Sequence, residues 1–208
     1  LAAMAIDDVP AACKQVCDRA NSLGITTFCD QATGGFQGKG EIDAFHAFAA
    51  SGHMTARLRY SLINAGEKNW DNSDIAFGYG DAMARATGWK IVSDGSNQGR
   101  TGLQRDAYFG RDDHGLAYVE KDKLREITVK RALQGWQVVI HANGDQAIDN
   151  ALDAIEAAYA AGVPKAARFR IEHCSVLHDE QIARIKAMNV SPSFLIGHVH
   201  YWGKAFRD

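Results

Sequence analysis

Short apolar runs alternate with amphipathic stretches along most of the chain. Apolar and β-branched residues cluster in six runs that predict strands at 24–30, 56–63, 89–93, 137–141, 169–173 and 190–196. Apolar positions at helical spacing predict helices at 8–23, 41–51, 81–87, 121–134, 145–161 and 179–188. The segment 94–119 holds five glycines and is predicted to be a long loop. This alternation indicates a βα repeat with a parallel sheet.

Two α/β architectures fit this alternation, an open doubly wound sheet and a (β/α)8 TIM-type barrel. No G-x-G-x-x-G turn follows the first strand, which counts against a dinucleotide-binding sheet. A complete barrel has eight strands and typically about 250 residues. Six predicted strands in 208 residues therefore fit a barrel fragment that covers about strands 2 to 7. We treat residues 1–208 as a single domain, a partial barrel.

Composition narrows the classes of partner. The chain is 46% hydrophobic and 23% charged, which is ordinary for a globular domain, and its net charge of −2 provides no basic surface for nucleic acid. No apolar stretch reaches the roughly 20 residues of a membrane span, so no membrane partner is expected. The four cysteines are too scattered for a disulfide scaffold. We interpret them as buried free thiols, and expect a cytoplasmic location.

Two histidines end predicted strands one βα unit apart. His141 closes 137–141 and His173 closes 169–173. A core histidine with one hydrogen-bonded neighbour would explain either position alone. Because successive strands of a barrel are neighbours, however, the two imidazoles should converge at the end where barrel enzymes keep their sites. Imidazole is the commonest protein ligand of zinc and similar ions, so the pair predicts a metal site.

Lys90 lies in the preceding predicted strand, again one βα unit earlier. A buried ammonium group is costly unless it is paired or modified. Carboxylation by CO₂ would turn this side chain into an anionic ligand that can bridge two cations. Alternatively, the ammonium group of Lys90 reaches solvent at the rim of the barrel or pairs with Asp94.

Three sequence runs together resemble a known family. They are Lys90-Ile-Val-Ser-Asp-Gly-Ser96, His141-Ala-Asn-Gly-Asp145 and Arg170-Ile-Glu-His173-Cys174, in the order expected for the metal-dependent amidohydrolase superfamily. They are most similar to the amidohydrolase-3 branch, which includes N-substituted formamide deformylases. The resemblance implies a (β/α)8 barrel with a small β-sandwich. It also implies hydrolysis of non-peptide C–N bonds of small amide-type substrates by a metal-activated water, with one or two divalent metals, zinc first.

The resemblance also assigns roles to individual residues. Lys90 matches the N6-carboxylated lysine of the fourth barrel strand, His141 the histidine of the fifth and His173 that of the sixth. The family's His-x-His pair is expected before Leu1, and its general-base aspartate and the last strand beyond Asp208. The catalytic base is therefore unknown, and the chain alone is expected to be inactive. A homo-oligomer stays open.

Further residues are candidates for substrate binding. Three lie in the loop after the Lys90 strand and three follow the seventh barrel strand: Asp94, Gln98, Arg100, His198, Tyr201 and Trp202. The loop residues could instead orient the metal ligands. His198-Val-His200 follows the wrong strand to be the metal-binding His-x-His pair. Alternatively, these six residues have no functional role and lie in a solvated loop or only pack against their neighbours.

The remaining polar residues near the motifs are predicted to be structural. Asp145 is a suitable N-cap for the helix that begins there. Strand alternation places the Glu172 side chain away from the barrel interior. Four histidines show no partner spacing and are predicted at the surface: His46, His53, His114 and His178.

Two other functions stay open. The first is a lyase or dehydratase on a similar barrel that uses Lys90 as a Schiff base, which borohydride trapping with substrate would reveal. The second is a binding relative that kept the barrel and lost its activity. An upstream His-x-His and a downstream aspartate in the complete protein would favour the hydrolase.

Overall fold

Strands and helices alternate along residues 8–207, the part of the chain described by the structure, a computed structural model. The strands are β1 (Thr27–Thr33), β2 (Arg57–Ile63), β3 (Ala84–Val92), β4 (Gln137–Ala142), β5 (Arg170–His173) and β6 (Ser191–Phe194). The helices are α1 (Val9–Ser22), α2 (Lys39–Ala50), α3 (Glu67–Asp71), α4 (Lys121–Leu133), α5 (Asp145–Ala160), α6 (Asp179–Ala187) and α7 (Gly197–Arg207). The chain forms two compact units, which divide between Gly88 and Trp89.

The first unit is built around β1 and β2, which pair in parallel. Leu58, Tyr60 and Leu62 of β2 are buried in the core of this unit. His46, predicted at the surface, is half-buried, and its Nε2 lies 2.9 Å from the hydroxyl oxygen of Tyr60.

The predicted helix at 81–87 is wrong, because most of this segment belongs to β3. Its alanines and methionine favour a helix locally, but Ala84 and Ala86 are fully buried while Arg85 between them is exposed. This period of two is that of a strand. Neighbouring strands satisfy the backbone here and override a weak local preference.

The second unit carries the end of β3, residues 89–92, followed by β4, β5 and β6 in this spatial order. The pairs β4–β5 and β5–β6 are parallel. A doubly wound sheet reverses its strand order at a switch point, and the described strands of this unit show no such reversal. The α/β class with parallel strands is therefore confirmed, whereas the range of strands 2 to 7 and the single-domain assignment stay predictions.

Buried aliphatic and aromatic side chains fill the second unit. Val138, Ile140 and Ile171 of the central strands are fully buried, and α5 buries Ile148, Leu152 and Ile155 along one stripe, as its pattern predicts. Beneath α4, the guanidinium carbon of Arg131 lies 3.6 Å from the centre of the Trp89 ring. Arg131 is only 1% exposed, so this cation–π contact belongs to the core.

The long connection between β3 and α4 contains no helix or strand, as predicted. We call residues 93–120 the β3–α4 loop. A backbone bridge between Asp94 and Ala117 joins its ends, and the Tyr108 hydroxyl donates to the Gly102 carbonyl over 2.7 Å. The loop is therefore an ordered part of the unit, and it lies next to the ends of the strands that carry the predicted ligands.

Candidate metal centre

His141 and His173 meet at the ends of β4 and β5. Nδ1 of His141 lies 3.1 Å from Nε2 of His173, and the ring centroids are 4.5 Å apart. The convergence predicted from their positions in sequence is therefore present in the structure.

An unusual backbone conformation makes this meeting possible. The register pairs His141 with Glu172 and Ala142 with His173. Side chains of laterally paired residues share a face of the sheet, so Glu172, rather than His173, shares the face of His141. This corrects the prediction that Glu172 faces the other way. His173 has a φ of 79° and Cys174 a φ of 48°. The left-handed turn at the end of β5 accompanies the approach of His173 to His141.

Such backbone conformations cost of order 1–3 kcal/mol each in residues other than glycine and cluster at functional sites. Two of them in succession at a predicted ligand support a functional origin.

The surroundings of His141 assign its tautomer. Nε2 lies 2.9 Å from the carbonyl oxygen of Gly95 and 3.3 Å from Oδ1 of Asp94. Both are acceptors, so Nε2 carries the proton, although the Asn143 amide nitrogen also lies 3.1 Å away. Nδ1 is then left with a lone pair that points at His173. A metal-binding histidine characteristically donates from its other nitrogen in this way.

Burial keeps His173 neutral. Burial, together with the nearby charges of His141 and Lys90, lowers the pKa of His173 to about 4. A metal ligand must be deprotonated, so the ring is in its ligand form at neutral pH. Because the charge of Lys90 contributes to this lower pKa, Lys90 lies within electrostatic reach of His173. Lys90 itself is only 5% exposed, as expected for a lysine inside the sheet.

The two histidines fit a divalent metal. Two nitrogens bound tetrahedrally to one zinc ion at 2.0–2.1 Å would be about 3.3 Å apart, and Nδ1 of His141 and Nε2 of His173 are 3.1 Å apart. Within residues 8–207, no three His, Cys, Asp or Glu side chains are arranged to hold a metal ion.

Asp94 lies beside His141 and has no exposed surface. Its carboxylate accepts hydrogen bonds from the backbone nitrogens of Leu103, Asn143 and Gly144 at 2.9–3.2 Å. A carboxylate with no exposed surface does not fit direct contact with a substrate. Its geometry fits the other predicted role, which is to orient a metal ligand.

His198 joins the histidine pair from α7. Its ring stacks on His173 with a centroid distance of 6.2 Å, and its Nδ1 lies 3.0 Å from the Ser175 hydroxyl. A cavity of about 320 Å³ opens beside them and is otherwise mainly apolar; its lining is His173, Cys174, Ser175, Phe194, Leu195, Ile196, His198, Val199 and Gly203.

The other predicted substrate residues do not line this cavity. Gln98 and Arg100 are exposed on the β3–α4 loop. Tyr201 is 77% exposed and packs edge-on against His200, and Trp202 is 41% exposed. Their roles stay predictions.

Sequence reasoning missed Asn143 and Ser175. Asn143 is buried, donates to the Gly95 carbonyl over 2.7 Å and accepts from Ser175 over 2.7 Å. The polar Asn-Gly-Asp run directly after a ligand strand was the available signal, but it also fits a helix start. One related prediction is wrong. Asp145 is the first residue of α5, after the N-cap Gly144. His178 is exposed, as predicted, although its Nε2 lies 3.0 Å from the Asp145 carboxylate.

No helix among residues 8–207 combines the length and apolar character needed to cross a bilayer.

Comparison with known proteins gives a consistent result. The chain is 33% identical over 113 residues to Protein LONG AFTER FAR-RED 3 of Arabidopsis thaliana, covering 54% of this chain and 19% of that protein. It is 28% identical over 154 residues to YtcJ of Bacillus subtilis strain 168, which is named as an amidohydrolase. This match covers 72% of this chain and 27% of YtcJ. The structure of an uncharacterized metal-dependent hydrolase from Pyrococcus furiosus superposes on this chain with a TM-score of 0.72 at 26% identity. The superposition covers 87% of this chain and 36% of the hydrolase.

The chain thus spans well under half the length of these relatives. The sequence profile of the Amidohydrolase family matches residues 1–208. Since this match covers the whole chain, and the superposed structure is a metal-dependent hydrolase, the chain belongs to the amidohydrolase family.

Proposed function

We propose that this chain contributes Lys90, His141 and His173 to the metal centre of a hydrolase that cleaves C–N bonds of small amide-type molecules. The observation that carries the proposal is the 3.1 Å approach of Nδ1 of His141 to Nε2 of His173. Family membership and the likeness to a metal-dependent hydrolase support the reaction class. The remaining ligands and the general base would come from other parts of the protein.

The histidines of this chain would hold the metal through one nitrogen each. His141 would use Nδ1, because Nε2 is committed to Gly95 and Asp94. His173 would use Nε2 and remains neutral down to acidic pH. A divalent ion, zinc first on ligand type, would supply an activated water and polarise the scissile carbonyl.

Lys90 would join the ligands after carboxylation. Its neutral amine adds CO₂ to form an N–C bond and releases one proton, which leaves an anionic carbamate. The carbamate is anionic, so it would be paired with the divalent cation that it binds. The burial of Lys90 and its electrostatic reach to His173 support this assignment.

The experiment is metal analysis of the intact protein and of His141→Ala and His173→Ala. Each substitution removes one ligand, so we expect metal content to fall at least tenfold after gel filtration. His114→Ala is the matched control, because His114 is exposed on the β3–α4 loop. Unchanged metal content in both ligand variants would end the proposal.

The substrate class needs its own experiment. Purified intact protein would be tested with N-formyl, N-acyl and cyclic amides, and with dipeptides as the comparison set. We expect turnover of the non-peptide amides that disappears in His141→Ala. Turnover of dipeptides alone would contradict the non-peptide assignment and leave the metal centre standing.

A further inference from the structure

Three segments distant in sequence meet around the proton-bearing nitrogen of His141. They are the start of the β3–α4 loop with Asp94 and Gly95, the turn after β4 with Asn143 and Gly144, and the middle of the loop at Leu103. Hydrogen bonds join all three segments, and those between Asp94 and the turn after β4 are buried. We call Asp94 and Asn143 the positioning pair.

Asp94 binds both the loop and the turn. Oδ2 accepts from the backbone nitrogens of Leu103 at 3.0 Å and Gly144 at 2.9 Å, while Oδ1 accepts from Asn143 N at 3.0 Å. Oδ1 is also the oxygen that lies 3.3 Å from Nε2 of His141. Its carboxylate is therefore fixed by backbone donors, and the fixed oxygen faces the imidazole.

Asn143 holds the second acceptor in place. Its Nδ2 donates to the Gly95 carbonyl over 2.7 Å, and that carbonyl oxygen lies 2.9 Å from Nε2 of His141. The amide orientation is determined, because a flipped amide would set its oxygen against the Gly95 oxygen. Its own oxygen accepts from Ser175 over 2.7 Å. Asn143 therefore connects the end of β4 to the chain beyond β5.

Close backbone packing shows that this arrangement has little room to shift. A Cβ on Gly144 would collide with the carbonyl oxygen of Leu103. The same carbonyl accepts from Ala147 N over 3.2 Å. The turn and the loop therefore approach at backbone distance, and the positioning pair lies in this contact.

We propose that Asp94 and Asn143 are positioning residues that hold His141 as the Nε2–H tautomer and so direct its Nδ1 toward the metal. This inference rests on the proposed function, because it supposes that Nδ1 of His141 is a ligand. The pair acts through His141 and does not itself meet the substrate. Loss of such partners typically weakens metal binding about 10–100-fold.

Two isosteric substitutions in the intact protein make opposite changes beside Nε2. Asp94→Asn must keep its oxygen toward Leu103 N and Gly144 N, so its amide group donates toward Nε2 and favours the Nδ1–H tautomer. Asn143→Asp removes the donor to the Gly95 carbonyl but places a new acceptor 3.1 Å from Nε2, so we expect the existing tautomer to be kept. If Asp94 and Asn143 only stabilised the fold, both substitutions would have the same effect on the His141 tautomer.

The readouts are the ¹⁵N shifts of the His141 ring in metal-free protein and the affinity for Zn²⁺ measured against a chelating dye. We expect Nε2–H in the unsubstituted protein, its loss in Asp94→Asn with an affinity at least tenfold weaker, and its retention in Asn143→Asp. Asp112→Asn is the matched control, because Asp112 is an exposed carboxylate of the same loop.

Nδ1–H in the unsubstituted protein, or an unchanged tautomer and affinity in Asp94→Asn, would overturn the inference. The first result is measured on the unsubstituted protein, so the inference can be refuted even if Asp94→Asn does not fold. Absence of Zn²⁺ binding by the unsubstituted protein would instead refute the proposed function, while the tautomer comparison would still decide the positioning role.

Discussion

His141 and Glu172 are register partners across β4 and β5, yet the imidazole that approaches His141 is that of His173. The left-handed backbone of His173 and Cys174 reconciles the two observations. The site is therefore made by the departure from strand geometry at the end of β5. A regular continuation of that strand would direct the His173 side chain to the opposite face of the sheet.

Gly144 cannot carry a side chain without disturbing the turn after β4. We expect Gly144→Ala to destabilise the fold by about 3 kcal/mol or more, because the added methyl group meets the Leu103 backbone. Urea unfolding measures this effect. Gly40→Ala in α2 is the control, since its added methyl group would meet only ordinary contacts; it should be neutral or slightly stabilising. Equal stability of the two variants would contradict the close approach.

Arg131 and Trp89 form a buried pair in the second unit. We expect Arg131→Ala to cost about 3 kcal/mol, because it removes both the cation–π contact and the packing of the aliphatic stem. Arg131→Lys should recover only part of this loss, since an ammonium lacks the flat guanidinium. Arg125→Ala on the same helix removes an exposed ion pair with Asp122 and should change stability by less than about 0.5 kcal/mol. Urea unfolding of the three variants tests the comparison.

Asp149 connects α5 to the β3–α4 loop. Burial alone would raise its pKa, but hydrogen bonds from Arg105 and Gln181 outweigh this effect and the pKa lies below its usual value. A carboxyl whose pKa is lower in the folded state stabilises the fold above the unfolded pKa of about 3.9. This contribution is lost as the pH falls through the lower folded pKa.

We therefore expect Asp149→Asn to be less stable than the unsubstituted protein at pH 7, and the difference to shrink below pH 4. Thermal unfolding between pH 2.5 and 7 measures it. Asp112→Asn should follow the unsubstituted protein throughout. A difference that grows on acidification would show that the sign is wrong.

Cys174 should be chemically protected in the folded protein. It is buried directly after His173, and burial raises its pKa to about 12, so the thiol stays protonated at neutral pH. Since the thiolate is the nucleophile, alkylation should be slow. Cys29 is exposed, contrary to the prediction that all four thiols are buried, and should react first. Mass spectrometry after timed iodoacetamide treatment reports both sites. Rapid labelling of Cys174 without unfolding would contradict its burial.

Sequence patterns predicted the strands that carry the ligands but not the details that bring the ligands together. The runs before His141 and His173 are rich in buried β-branched residues, so β4 and β5 were found within one residue of their bounds. The start of β3 was missed because small residues on a buried face leave no hydrophobic pattern. The turn at His173 could not be predicted, because its φ depends on contacts with β4 rather than on local preference.

The positioning pair was hidden for a similar reason. Asp94 is 9 residues from Leu103 and 49 from Asn143, and the docked loop brings their atoms together. A polar residue after a strand has several common explanations, of which helix capping is the simplest. The distinction between these explanations depends on the partner of the side chain, which the sequence around it does not reveal.

The buried Asp94 carboxylate has a consequence for the order of events during maturation. Its backbone donors come from both the turn after β4 and the middle of the β3–α4 loop, so its bonds are complete only after that loop has docked. Until then, only the turn after β4 holds the carboxylate, through the backbone nitrogens of Asn143 and Gly144. In the proposed metal centre, His141 would therefore gain its complete set of supporting bonds only after the loop has docked.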